Sequence, residues 1–235
     1  VIDAVIIGVA DRRKRVREPW ALQEVVSEGH HMGFYARVIF PWACDLIMSA
    51  PHLAEARREF LAEVTGEVLE IGFGTGLNLP HYPEHVRKIT AIDVNPGMHA
   101  RAEKRIRAST IAVEHRVING ERLPMPNDSF DSVVSTWTLC SIKNVSRALR
   151  EIRRVLKPGG RFFFMEHGLS DDPAVQRWQH LLNPLEKLIA DGCHLNRNIP
   201  ELIERQGLRI VKLDRFYMDK TPKTHGYTYR GVATK

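Results

Sequence analysis

Cysteine is scarce in this chain and badly spaced for either of its usual collective roles. Cys44, Cys140 and Cys193 are the only three thiols in 235 residues. Their odd number and the absence of Cys-x-x-Cys spacing argue against a disulfide framework and against a metal site written into the sequence. A reducing, cytoplasmic setting is therefore expected. Long hydrophobic runs are missing too. Nothing approaches the roughly 18 apolar residues of a membrane-spanning helix, and residues 1–10 are too short, and are followed by positive charge, to read as a signal peptide. Repeats and low-complexity tracts are absent, which removes solenoids and linker arrays. Aromatics make up 8% and do not interleave with basic clusters, so the formal charge of +6 permits an anionic partner without pointing to nucleic acid. What remains is a 43% hydrophobic chain with material for one sizeable core.

The rest of the chain is arranged around Val68-Leu69-Glu70-Ile71-Gly72-Phe73-Gly74-Thr75-Gly76-Leu77-Asn78. A short apolar run ends in an acid and opens into closely spaced glycines, the pattern of a buried strand turning sharply toward a ligand. A second apolar run, 88–93, ends in Asp93, about 20 residues past the turn, where a carboxylate can accept from two ribose hydroxyls. A dinucleotide fingerprint needs Gly-x-Gly-x-x-Gly, whereas here the spacing is Gly72-x-Gly74-x-Gly76. A nicotinamide oxidoreductase is disfavoured on that ground, and a P-loop is excluded because no phosphate-binding lysine follows.

Before this turn, residues 33–47 carry apolar side chains at helical spacing, a stripe placed to cap the ligand site, and 51–64 reads as a second helix. After it come a helix at 96–107, strands at 111–118, 130–135 and 161–166, and a helix at 145–156 stopped by Lys157-Pro158-Gly159-Gly160. The helical pattern 173–190 contains Pro184, which predicts a kink or a split. A helix at 200–206 and strands at 208–213 and 227–234 close the chain. Alternating strands and helices imply a mostly parallel sheet that binds ligands at the carboxyl ends of its strands. Gly72, Asp93, Asn119, Thr138 and His167 all fall at or just past such ends.

The glycine turn, Asp93, Leu123-Pro124 before Ser129-Phe130-Asp131, and Leu156-Lys157-Pro158-Gly159-Gly160 together resemble a class I S-adenosylmethionine-dependent methyltransferase from about residue 33 onward. The resemblance implies an α/β, Rossmann-like fold: a seven-stranded, mostly parallel sheet with helices on both faces, its last strand entering antiparallel. It implies S-adenosylmethionine as cofactor, with Gly72, Gly74 and Gly76 passing under the methionine part, Asp93 on the ribose, and Asn119 and Gly120 beside the adenine. Glu70, Asn78, Val94, Met98, Glu121 and Thr136 complete the expected cofactor set. On this view residues 32–235 form the methyltransferase domain. Residues 1–31 form an N-terminal extension of peripheral or expression-vector origin, because Gly29-His30-His31-Met32 reads as a tag junction or an internal start.

Downstream, Ser135-Thr136-Trp137-Thr138-Leu139-Cys140-Ser141-Ile142, Glu166-His167-Gly168, Gly192-Cys193-His194-Leu195-Asn196-Arg197 and 226–233 are similar to the thiol S-methyltransferase group and its bacterial relatives, many of them labelled phospholipid methyltransferases. This resemblance implies a small-molecule acceptor, hydrogen sulfide or a small thiol such as methanethiol, with phosphatidylethanolamine-type amines as runner-up and a non-catalytic cofactor-binding module as an alternative of another class. The animal members carry an apolar membrane anchor. Here only the apolar 1–7 followed by the basic run 12–17 suits peripheral membrane contact, against a helix packed on the domain.

Methyl transfer from a sulfonium needs alignment above all, which contributes roughly 7–11 kcal/mol. A thiol with pKa about 8.5 is partly ionised at neutral pH, whereas a protonated amine must first lose its proton to a base. Neither a paired-carboxylate nor a Ser-His-Asp constellation is evident. His167 beside Glu166 is the first candidate for deprotonating or orienting the substrate, and His194 the second. Tyr35, Thr138, Cys140 and Arg197 are placed on the substrate side. Cys140 and Cys193 are expected to be small buried side chains rather than nucleophiles, and no metal ligand is assigned.

Overall fold

Residues 33–235 are described by a computed structural model; the expected extension 1–31 and its membrane-facing charge lie outside the described residues. A π-helical stretch, Tyr35–Ile39, runs into α1 (Phe40–Met48), and α2 (Pro51–Leu61) follows. The strands are β1 (Val68–Ile71), β2 (Lys88–Asp93), β3 (Ala112–Val117), β4 (Phe130–Thr136), β5 (Leu156–His167), β6 (Arg209–Tyr217) and β7 (Tyr227–Thr234). Between them lie α3 (Pro96–Ala108), α4 (Val145–Val155), α5 (Pro173–Ile189), α6 (Ile199–Glu204) and the short α7 (Lys223–Gly226).

The seven strands form one sheet in the order β3-β2-β1-β4-β5-β7-β6. β1 to β5 are parallel, and β7 slots between β5 and β6 antiparallel to both, as the resemblance implied. Side chains of a strand alternate faces, and the cores divide accordingly. Leu69, Ile71, Val133, Phe162 and Phe164 pack with Leu149, Ile152 and Val155 of α4 and Ile199 and Ile203 of α6. Val68, Val134, Phe163 and Met165 pack with Phe60 and Leu61 of α2 and Ala102 of α3. Successive residues of one strand thus require helices on opposite faces of the sheet. The strand order reverses at β1/β4, so the carboxyl ends of β1, β2 and β4 open one crevice.

Two local expectations are narrowed. Of the kink or split expected at Pro184 the split is absent, since α5 runs unbroken from Pro173 to Ile189. Lys157-Pro158-Gly159-Gly160 is not the plain end of a helix. The β4–β5 register jumps from Phe130 opposite Leu156 to Ser132 opposite Arg161, so 157–160 bulge from a strand that has already begun. Gly159, at φ 76°, supplies the left-handed backbone the bulge needs.

Candidate active site at the carboxyl edge of the sheet

Strand β1 ends and the chain turns through Gly72, Gly74 and Gly76, all at positive φ (73°, 57° and 80°), a region that favours glycine. Their surroundings differ. A Cβ on Gly72 would stand 1.9 Å from Thr138 Oγ1, so this glycine is required by the protein itself. A Cβ on Gly74 would meet nothing closer than 4.0 Å, and the open side of the turn lies there. The Gly74 amide donates to Asp93 Oδ2 (2.8 Å) and the Asn95 amide to Oδ1 (2.8 Å). Each oxygen keeps a further lone pair for a ligand. Burial pushes the Asp93 carboxyl up to about 6, against the pull of the two amides.

Beneath the turn, Glu70 is buried. Asn78 Nδ2 donates to its Oε1 (2.8 Å) and Tyr82 Oη to its Oε2 (2.7 Å), while Asn78 Nδ2 also reaches Thr136 Oγ1 (3.0 Å). Burial raises Glu70 to about 7 in spite of these donors. Glu70 therefore braces the turn from below, and Asn78 Oδ1 is left as a buried acceptor without a donor. Around the rim, Val94 is exposed, Met98 is buried, and Gly120 packs against Ile71. Asn119 is exposed and its Oδ1 accepts from the Glu121 amide; Glu121 Oε1 in turn accepts from the Asn144 amide at the start of α4.

The N-terminal segment lies across this crevice. Asn95 Nδ2 donates to Ala36 O (2.9 Å), Thr75 Oγ1 to Asp45 Oδ1 (2.5 Å), and Arg105 Nη1 to Asp45 Oδ1 (2.8 Å) and Thr75 O (3.1 Å). The expected cap is thus latched to the glycine turn by α1. Tyr35 is 46% exposed and its hydroxyl donates to Ile189 O at the end of α5 (2.7 Å), two residues before Asp191, whose Oδ2 accepts from Asn95 Nδ2 (3.5 Å).

On the acceptor side, Trp137 takes φ 48°, a left-handed conformation unusual for a bulky residue, directly after β4. Its amide donates to Met165 O (2.9 Å), and the next residue, Thr138, is thereby aimed at Gly72. Glu166 is fully buried; its Oε1 accepts from Ser135 Oγ (2.8 Å) and the Thr138 amide (3.0 Å). Burial and the Cys140 thiol raise it to about 8. Arg57, 3% exposed, stacks 4.9 Å from the Trp137 ring centroid and donates to Met48 O. Sequence reasoning missed Arg57 and gave Trp137 and Glu166 no role beyond the motifs that contain them. An arginine in an amphipathic helix reads as solvated, and backbone strain leaves no trace in composition.

His167 does not stand free to meet a substrate. It is buried, its Nε2 lies 3.0 Å from Cys193 Sγ, and its Nδ1 has no partner. Burial pulls its pKa down, but the neighbouring Cys140 and the carboxylates Glu166 and Glu186 outweigh that and the net direction is up. Cys140 and Cys193 are buried as expected, yet they are not isolated packing groups, because both touch this histidine's surroundings. The Cys140 thiol is held below its ordinary range, first by a hydrogen bond from the Cys193 thiol. His194 Nδ1 faces Cys140 O (3.1 Å), a carbonyl that can only accept, so Nδ1 carries the proton and Nε2 is the free base. Burial and Arg197 lower its pKa. Arg197 is half-buried and donates to Leu139 O, tying the turn before α6 to the loop after β4.

Comparison with known proteins bears on this arrangement. Residues 69–164 match the family described as "Methyltransferase domain". The chain is 37% identical over 172 residues to the thiol S-methyltransferase TMT1A of Homo sapiens, covering 69% of this chain and 70% of that protein. It is 30% identical over 161 residues to a phosphatidylethanolamine N-methyltransferase of Cereibacter sphaeroides, covering 66% and 78%. A crystal structure of a SAM-dependent methyltransferase from Aquifex aeolicus superposes with a TM-score of 0.58 at 20% identity, over 82% of this chain and 97% of that one. The [4+2]-cyclase SpnF superposes equally well (TM-score 0.58, 20% identity, 78% and 80% covered), so the fold alone does not fix the chemistry.

Proposed function

The chain belongs to the S-adenosylmethionine-dependent methyltransferases, and from that premise we propose that it methylates a small thiol, with hydrogen sulfide or methanethiol as the leading acceptor. The observation that carries the acceptor is the 37% identity to a thiol S-methyltransferase across two thirds of both chains. S-adenosylmethionine supplies a methyl group already activated on a sulfonium. The crevice suits it: Asp93 offers unused lone pairs to a ribose diol, Asn78 Oδ1 offers an orphaned acceptor to an ammonium, Gly74 leaves room above the turn, and exposed Val94 offers an apolar face to the adenine beside Asn119 and Gly120.

The work left to the protein is alignment and exclusion of water. Thr138, seated on Gly72 and held by Glu166, fixes the wall between cofactor and acceptor. His194 Nε2 is the base best placed to take a proton from an acceptor entering on that side, and Arg197 holds the two acceptor-side loops together. His167, buried against Cys193 Sγ, serves as a positioning group on the same side.

A second reading, a phosphatidylethanolamine-type N-methyltransferase, is favoured by one structural feature. Trp42, Leu46 and Ile47 of α1 and Trp178, Leu181, Leu185 and Leu188 of α5 are all more than half exposed, on elements joined by the Tyr35 contact to Ile189. No helix among the described residues is long and apolar enough to cross a membrane. Product formation with sulfide, methanethiol and phosphatidylethanolamine vesicles separates the two readings. Turnover of both thiols and not of lipid is expected, and lipid turnover with inert thiols would reverse the order.

A further inference from the structure

Three segments unrelated in sequence converge beside the glycine turn. Cys140 in the loop after β4, His167 at the end of β5 and Cys193 in the turn before α6 bring two sulfurs and an imidazole nitrogen within 4.8 Å of one another, all three side chains buried. His167 Nε2 faces Cys193 Sγ at 3.0 Å, and its Nδ1 is buried without a partner. Buried polar groups are ordinarily satisfied. Cys140 Sγ also faces Ser141 Oγ (3.6 Å), so the unpaired His167 Nδ1 is the exception, and what sets the cluster apart is two thiols and an imidazole gathered in one buried spot.

Two thiolates and an imidazole are a donor set that soft and borderline metals select. Zinc bonds of about 2.3 Å to sulfur and about 2.0 Å to nitrogen, at tetrahedral angles, place ligand atoms roughly 3.5–3.8 Å apart. That spacing lies inside the observed envelope and asks only a small opening of the His167–Cys193 contact. With the fourth position open the charges also balance, because two thiolates neutralise a divalent ion where an unpaired buried thiolate would be costly. An acceptor thiolate would bring the site to one net negative charge, which the cationic sulfonium of the methyl donor opposes.

We propose that Cys140, His167 and Cys193 bind one zinc ion whose fourth tetrahedral position takes the sulfur of the methyl acceptor. The metal site stands on the cluster alone, and the fourth ligand rests on the thiol reading above. Three protein ligands with one open position is the arrangement of catalytic rather than structural zinc. On coordination the acceptor R–SH gives its proton to solvent water, so that the metal-loaded site does not need the His194 base, and binds as thiolate, since the thiolate is both the ligand and the nucleophile. A lone pair of that sulfur forms the new bond to the methyl carbon while the methyl–sulfonium bond breaks, its electron pair returning to the donor sulfur. The neutral thioether then leaves, and zinc keeps its oxidation state throughout.

The test is metal binding by the whole chain, reduced and reconstituted with zinc, followed by cobalt(II) substitution. One equivalent of metal and a thiolate-to-cobalt charge-transfer band are expected. Both should be lost in Cys140→Ser and in Cys193→Ser and weakened in His167→Ala, while S-adenosylhomocysteine binding by each variant shows that the fold is intact. Methanethiol should shift the cobalt ligand-field bands of the wild type. Metal uptake no greater than in a Cys140→Ser/Cys193→Ser variant, or a Cys140–Cys193 disulfide in its place, overturns the site; thiol methylation by such metal-free protein would leave the proposed activity standing. Metal bound with a spectrum indifferent to thiol overturns the fourth-ligand assignment, as does a metal-loaded enzyme that turns over lipid alone.

Discussion

Asp93 carries two backbone amides and still has lone pairs to offer, which is why a single substitution there tests the cofactor site. Asp93→Ala should weaken S-adenosylhomocysteine binding by about 1.5–3 kcal/mol, the range for hydrogen bonds to a charged group. Calorimetry showing unchanged affinity would remove it from the ribose. Because burial lifts this carboxyl to about 6, wild-type affinity should also fall as pH drops through about 6, and Asp93→Asn should abolish that dependence. Glu70 affects stability instead. Its folded value of about 7 lies above its ordinary 4.5, so between the two the folded state holds more proton than the unfolded one. The Glu70 contribution to unfolding free energy therefore decreases as pH rises through this window and levels off above it, while Glu166, raised to about 8, continues the decline. From about pH 6 to 7, above the Asp93 transition, Glu70's own share of the loss should reach at most about 1.4 kcal/mol. Melting curves of Glu70→Gln should be flatter there than those of wild type.

At the scale of elements, α4 shows how pattern becomes packing. Val145, Ala148, Leu149, Ile152 and Val155 recur at three- and four-residue spacing and are all buried, while Arg147, Arg150 and Arg153 are not among the buried residues. Leu149→Ala should cost about 2–5 kcal/mol in denaturant unfolding, as for other fully buried leucines. The π-helical stretch is held differently. A Cβ on Gly97 would stand 2.1 Å from Arg37 O, although Gly97 itself has ordinary helical backbone. Gly97→Ala should therefore lift 35–39 off α3 while leaving the sheet folded. Hydrogen exchange would show faster exchange in 33–48 with unchanged protection in β1 and β4. Equal exchange in both proteins would mean that the segment adapts to the added methyl.

For the whole molecule, the cofactor is expected to link the two halves of the crevice, and ligand bound only to the folded state stabilises it by mass action. S-adenosylhomocysteine at a hundred times its dissociation constant should add about 2.7 kcal/mol, a rise in melting temperature of roughly 5–10 °C for a domain of this size. Asp93→Ala should lose most of that rise at the same ligand concentration. The exposed apolar side chains of α1 and α5 sit on elements joined by the Tyr35–Ile189 contact, and α1 is latched to the glycine turn through Asp45 and Arg105. What the enzyme presents to an acceptor or to a lipid surface is thus set by elements outside the sheet.

The succession of strands and helices along the chain, the glycine turn and Asp93 were legible in the sequence because each is a local pattern. Alternating apolar runs specify strands, spaced glycines specify positive φ, and a carboxylate at the end of the next strand must share the crevice with them. Local chemistry could not show that Thr138 fills the space over Gly72, that Glu70 lies under the turn rather than in it, or that Tyr35 reaches Ile189. Nor could it show that Pro184 sits inside an unbroken helix. Above all, Cys140, His167 and Cys193 carry no common spacing, and each alone reads as an ordinary buried residue. Only the packing of β4 against β5, with the turn before α6 folded back over their ends, makes them one cluster, because proximity across a sheet is a property of register and not of sequence distance.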